Sequence, residues 1–210
     1  MTKKTYNKLP RPCADEVNYW LDEWRKLEGY VPQEKALNKL FFITYPFNND
    51  INDVLIKVCT LNQFYSTNIR KIFTLAEHIV SLNIDNDLKN HNYDLVEKIA
   101  SGHKIHISKK AKESHLYSFA TKYCSHHKPF DYPIYDSYVE KMLLHFRNEF
   151  AKKESENFYQ QDLRSFKKFR NTLSQFKEYY KLDFSLKDID KYLWQAGKKY
   201  FPKKYGRKKL

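Results

Sequence analysis

Glycine occurs only four times in these 210 residues, at Gly29, Gly102, Gly197 and Gly206, and this scarcity constrains the fold more than any other feature. Hairpin turns and bulges draw heavily on glycine. Here apolar residues instead recur at helical spacing nearly throughout, with no sustained alternation and no visible internal repeat. Residues 15–27 set Val17, Trp20, Leu21 and Trp24 on one face, and Pro32 opens a second helix through Leu40. Turn residues at 48–50 precede an apolar helix over 51–61. Further helices are expected over 67–82, 93–100, 114–124, 136–150, 159–180 and 186–196, the last capped by Ser185. Gly102 stands where a helix C-terminus calls for glycine, and 125–133 reads as a loop. The expectation is an all-α chain with an arm at 1–14, a helical domain over 15–200 and a basic tail at 201–210.

Charge narrows the partners. Lys and Arg total 38 against 25 Asp and Glu, a net charge of +13. A polyanion is the first partner such a surface suggests, although a lysine-rich solvated surface gives the same totals. Three cysteines, Cys13, Cys59 and Cys124, are an odd number without close spacing, which points to a reducing compartment rather than a disulfide framework. No apolar run approaches the ~20 residues of a membrane helix, and the first residues lack a signal core. These features together read as a cytoplasmic, monomeric protein, nucleoid-associated if bacterial.

The stretch HLYSFATKYCSHHKPFDYPIYDSYV, residues 115–139, carries the chemistry. An amphipathic helix is followed by a proline-set turn that presents one acid, Asp136, at the start of another helix. A helix N-terminus favours a negative charge there. Asp136 is then either a cap worth ~1 kcal/mol or a catalytic carboxylate, and the roles are compatible. Lys122, between Phe119 and Tyr123 in sequence, is either a partly desolvated amine fit for attack or a lysine that snorkels past aromatics. His103 with His106, and the pair His126–His127, lack supporting carboxylates, so no metal is expected, and no cofactor is implied.

Three segments in order resemble the helix-hairpin-helix DNA glycosylase superfamily. They are LNQFYSTNI (61–69), LVEKIA (95–100) and YPIYDSYV (132–139). FSLKDIDKYLWQAGK (184–198) is similar to the closing helix of the 8-oxoguanine branch, and SFATKYC and PIYDS look closest to its archaeal members, which also lack a glycine-rich hairpin. The resemblance covers most of the chain. It implies two lobes, roughly 51–100 and 15–50 plus 101–200, around a cleft that binds double-stranded DNA and excises a damaged or modified base. Asp136 would stabilise the sugar cation, and Lys122 or a water would attack. Gln63, with Asn62 beside it, would probe the duplex, and a flipped base would stack on Trp194, Phe64 or Tyr135. SKKAKES (108–114) replaces the usual glycine hairpin, so Lys109, Lys110 and Lys112 would grip phosphate. The family's lysine position falls near His115, a second phosphate or sugar contact, with Lys122 two helical turns on. The rival readings are a helix-hairpin-helix module that binds DNA without chemistry, and an RNA-binding or scaffold domain with incidental charge.

Overall fold

The computed structural model describes residues 9–101, 115–153 and 156–202. Among them there are helices and turns but no strand, as the spacing of apolar residues requires. In chain order the helices are α1 (Ala14–Arg25), α2 (Tyr30–Lys39), α3 (Ile51–Phe64), α4 (Ile72–Ser81), α5 (Ile84–Lys89), α6 (Leu95–Ala100), α7 (Tyr117–His127), α8 (Ser137–Phe150), α9 (Phe166–Tyr179) and α10 (Leu186–Tyr200). One continuous core joins them, from Val17 of α1 through Val58 of α3, Tyr123 of α7 and Met142 of α8 to Leu193 of α10. No described helix is long and apolar enough to cross a membrane.

Local chemistry sets the boundaries. The Asp50 carboxylate accepts the N–H of Asn52 at 2.7 Å and starts α3. Asp136 accepts the N–H of Tyr138 at 2.8 Å and starts α8. The Ser185 hydroxyl accepts the N–H of Asp188 at 3.1 Å and starts α10. Each spares an N–H that the helix itself cannot satisfy. Pro32 sits in the first turn of α2, where its missing N–H costs nothing. That helix ends in a π-helical turn, Leu40–Thr44.

Four helices depart from expectation. The helix expected over 67–82 begins only at Ile72, because Ser66 (φ 49°) and Asn68 (φ 57°) take left-handed conformations that a helix cannot continue through. The helix ending at 124 runs on through His127, since its last turn, including both histidines, is buried rather than looped. The helix expected from 159 starts at Phe166, because Asp162 accepts the N–H of Tyr159 at 2.8 Å and nucleates a 3-10 turn, Asp162–Arg164, ahead of an extended Ser165. Short α5, which escaped periodicity, begins after a left-handed Asn83 (φ 48°). Gly102 and Lys109, Lys110 and Lys112 lie outside the described residues.

At Gly197 two helices approach closely. A Cβ there would lie 2.7 Å from the carbonyl oxygen of Tyr138 and 2.9 Å from its Cβ. Only hydrogen lets α10 press on the first turn of α8, the turn that Asp136 caps. Gly197→Ala should therefore lower stability by about 1–3 kcal/mol, read as a lower urea midpoint at unchanged slope. An unaltered midpoint would show that the two helices separate at no cost.

Candidate active site

Three residues of α7, one helical turn, build the centre. Thr121 and Ser118 hold the Tyr135 peptide from opposite ends: the N–H of Tyr135 donates to Thr121 Oγ1 at 3.1 Å, and Ser118 Oγ donates to the Tyr135 carbonyl at 3.1 Å. With Tyr135 clamped, the next residue, Asp136, is fixed opposite Lys122. The Lys122 side chain turns back along its own helix. Its Nζ donates to Ser118 Oγ at 2.6 Å, to the Ser118 carbonyl at 3.2 Å and to the Tyr135 carbonyl at 3.5 Å. The ring of Tyr65 covers it, with Nζ 5.2 Å from the ring centroid. Lys122 is 4% exposed, and burial pulls its ammonium below the ordinary lysine range; the charges of Asp136 and Asp190 oppose that through space.

Lys122 and Asp136 face a cavity of about 370 Å³. Its aromatic wall is Trp24, Tyr30 and Trp194, whose ring centroids lie 5.1–5.9 Å apart. Phe64 and Tyr65 close the other side, and the Tyr65 hydroxyl meets His126 Nε2 at 2.9 Å. Glu34 of α2 accepts from Trp24 Nε1 at 3.1 Å and Lys191 Nζ at 2.9 Å, with Lys187 at 3.6 Å. Burial pushes its carboxyl up, but Lys187, Lys191 and the Trp24 N–H outweigh that and hold it below the usual range. Asp190 of α10 behaves oppositely. Burial, aided by Asp136, pushes it up to about 7 against the pull of Lys187, Lys122 and Lys191.

A second cavity, about 270 Å³, lies across the Tyr65–Ser66 segment and shares Lys122 and Asp136 with the first. His115, Ser118 and Thr67 line it. His115 Nε2 pairs with Glu97 at 3.2 Å, and its ring stacks near Tyr117.

The structure therefore brings Asp136, Lys122, Trp194 and Phe64 to one cavity and His115 to its neighbour. Other expected contacts fall elsewhere. Asn62 is not a free probe. Its Oδ1 accepts from the N–H of Ile69 at 2.9 Å and from Thr67 Oγ1 at 2.7 Å, and its Nδ2 donates to the Ile69 carbonyl at 3.1 Å, so the amide is consumed in folding the turn after α3. Gln63 is exposed on the last turn of α3, outside both cavity linings. Tyr135 turns away from the cavity: its ring packs on Tyr117 and Phe169, and its hydroxyl donates to Glu140. His126 and His127 bond to Tyr65 and Asn48, whereas His103 and His106 lie outside the described residues.

Asp190, Glu34, Trp24 and Tyr30 were not anticipated. The signal for Asp190 was in α10: Lys187, Asp190, Lys191, Trp194 and Lys198 recur at three- and four-residue steps and so share one face. Glu34 carried no such signal, because its partners are 153 and 157 positions away in sequence.

Residues 16–131 match the family described as HI_0787_N: N-terminal domain. The chain belongs to this family. The matched segment contains Trp24, Glu34, Tyr65 and Lys122, while Asp136 and Asp190 lie beyond it. The chain is also similar to an uncharacterized protein of Haemophilus influenzae, with 42% identity over 154 residues, 73% of this chain and 70% of the relative. No solved structure matches it.

The raised Asp190 carboxyl makes stability depend on pH with a definite sign. Unfolded, it ionises near 3.8; folded, it keeps its proton until about 7. Its stabilising contribution is thus complete below pH 4 and is lost as pH rises through 7. Asp190→Asn, which cannot ionise, should match the wild type near pH 4 and exceed it by ~1–4 kcal/mol at pH 8. Parallel urea midpoints at both pH values would rule the assignment out.

Proposed function

We propose that this protein is a DNA glycosylase of helix-hairpin-helix type that removes a damaged or modified base, with Lys122 as the nucleophile. The observation that carries the reading is the buried Lys122 amine facing Asp136 across an aromatic cavity. A lysine attacks carbon only when neutral, and desolvation shifts Lys122 toward that state. A cavity of about 370 Å³ walled by three aromatic rings, with Trp194 edge to face with the other two, suits a single flipped base. The resemblance of residues 61–69, 95–100 and 132–139 to the superfamily supports the same reading, and so does the net charge of +13.

In this reading the base enters against Trp194 and Phe64. The C1′–N bond breaks, the base leaves with the bonding pair, and Asp136 stabilises the sugar cation. The Lys122 lone pair bonds to C1′. Ring opening then releases O4′, which takes a proton, and loss of the remaining proton from Nζ leaves an imine between Lys122 and C1′. Asp190, whose carboxyl burial pushes up to about 7, would donate a hydrogen bond to the departing base. The cleft would lie between the lobe of α3–α6 and the remaining helices, with Gln63 at its rim; Lys109, Lys110 and Lys112, outside the described residues, would grip phosphate.

The test uses duplexes with single lesions, including 8-oxoguanine and uracil, with and without borohydride. The wild type should give a trapped covalent adduct on at least one lesion. Lys122→Gln should lose the adduct while still binding duplex. Asp136→Asn, which remains a competent cap, should excise about 10²–10³-fold more slowly. An adduct that survives Lys122→Gln would remove the lysine from the reaction. Salt-sensitive duplex binding without product on any lesion would favour the binding module instead.

A further inference from the structure

We infer that Ser118 is a positioning residue for Lys122, a hydroxyl that turns between the amine and the Tyr135 carbonyl and so sets when the amine loses its proton. The geometry stands alone; only the consequence for catalysis depends on the proposed glycosylase reaction. Nζ has three oxygen neighbours within hydrogen-bonding distance among the described residues: Ser118 Oγ at 2.6 Å, the Ser118 carbonyl at 3.2 Å and the Tyr135 carbonyl at 3.5 Å. An ammonium offers three N–H donors and uses all three. A neutral amine offers two donors and a lone pair. The carbonyls satisfy the two donors and can do nothing for the lone pair, because carbonyl oxygen only accepts. The hydroxyl alone fits both states.

With the ammonium, Ser118 Oγ accepts from Nζ and donates its own hydrogen to the Tyr135 carbonyl at 3.1 Å. For the amine to become neutral, the hydroxyl turns its hydrogen to a solvent water, an N–H proton passes to Oγ, and the water takes the hydroxyl proton. Serine is regenerated and one proton is released. The exit is the second cavity, which Ser118 lines while it is absent from the lining of the first. When the hydroxyl swings back to Tyr135, the lone pair is free toward the first cavity. The proton therefore departs on one side and the nucleophile acts on the other.

The charges around this pair do not replace it. Asp136 at the start of α8 and Asp190 on α10 act on Lys122 only through space. Lys187 of α10 is paired with Glu34. His126 of α7 is held neutral by burial, and burial keeps the Tyr65 phenol protonated. His115, in the second cavity, is paired with Glu97.

The test titrates the intact protein labelled with [ε-13C]lysine, with the Lys122 resonance assigned by its loss in Lys122→Gln. Ser118→Ala removes the shortest acceptor of the ammonium and should move the Lys122 midpoint down by about one pH unit, whereas Ser118→Thr, which keeps the hydroxyl, should restore it. Thr121→Ser controls for repacking of α7, since it keeps the hydroxyl that accepts the Tyr135 N–H and donates to the Ser118 carbonyl; its midpoint should equal the wild type. An unmoved midpoint in Ser118→Ala overturns the inference, and so does an equal shift in Thr121→Ser. Borohydride trapping on an abasic duplex then separates the two claims. If trapping occurs, its acid limb should follow the Lys122 midpoint through the series. If the wild type traps nothing while the midpoints move as expected, the Ser118 assignment stands and the glycosylase reading falls.

Discussion

The desolvated amine of Lys122 is the constraint around which this molecule is arranged. Burying a lysine is unfavourable unless oxygen surrounds the charge or the charge is given up. Helix α7 supplies both conditions. It is buried along almost its whole length, from Tyr117 to His127, and so excludes water from Nζ. It also donates the first oxygens from Ser118, one turn back, and grips Tyr135 to bring up the third. The same grip fixes the start of α8, and the close approach of Gly197 fixes it from the opposite face. The position of Asp136 is thereby dictated by packing rather than by any direct bond to Lys122.

The cavity beside that amine holds two carboxyls with opposite electrostatic fates. Glu34 sits among Lys187, Lys191 and the Trp24 N–H, which keep it ionised; Asp190 stands a little along α10 from the same lysines, accepts no hydrogen bond among the described residues and retains its proton. Two carboxyls pushed apart in this way divide a site into a fixed charge and a hydrogen-bond donor. Glu34 pairs with both Lys187 and Lys191. That leaves Lys122 with the through-space field of Asp136, joined by Asp190 only once Asp190 ionises, set against a larger desolvation that opposes the charged form.

Much of this was legible in the sequence, and its failures are physical. Asp136 was readable because proline-set turns and helix caps are local: Pro133, Asp136 and the N–H of Tyr138 lie within six residues. Trp194 and Lys122 were readable because helical spacing and aromatic neighbours are also local. Asn62 was misassigned because an amide at a helix end looks the same whether it faces DNA or folds its own turn; only the left-handed backbone at Ser66 and Asn68 distinguishes the cases. Tyr135 adjoins Asp136 in sequence yet faces the other way, toward Glu140, and adjacency alone does not reveal that. Ser118 and Thr121 escaped notice because their partner is a backbone amide 14 to 17 positions away, and no residue type records that.

A second buried lysine shows what distinguishes chemistry from architecture. Lys57 of α3 is fully buried, and Nζ donates to the carbonyls of Tyr45 and Phe47 at 3.2 and 2.7 Å and to Asn48 Oδ1 at 2.6 Å. Asn48 Oδ1 also accepts from the Tyr123 hydroxyl at 2.6 Å, while its amide donates to Asp85. Burial brings Lys57 down to about 8 even against the pull of Asp85 and Asp53. By oxygen count and burial it resembles Lys122 closely. The difference is access. Lys57 lines neither of the cavities beside Lys122; its three oxygens close the loop after the π-helical turn onto α3, and none of them is a hydroxyl able to exchange a proton. Lys122 opens on two cavities and has such a hydroxyl. A lowered lysine pKa is therefore shared by a strut and a candidate nucleophile, and the route by which the proton can leave is what separates them.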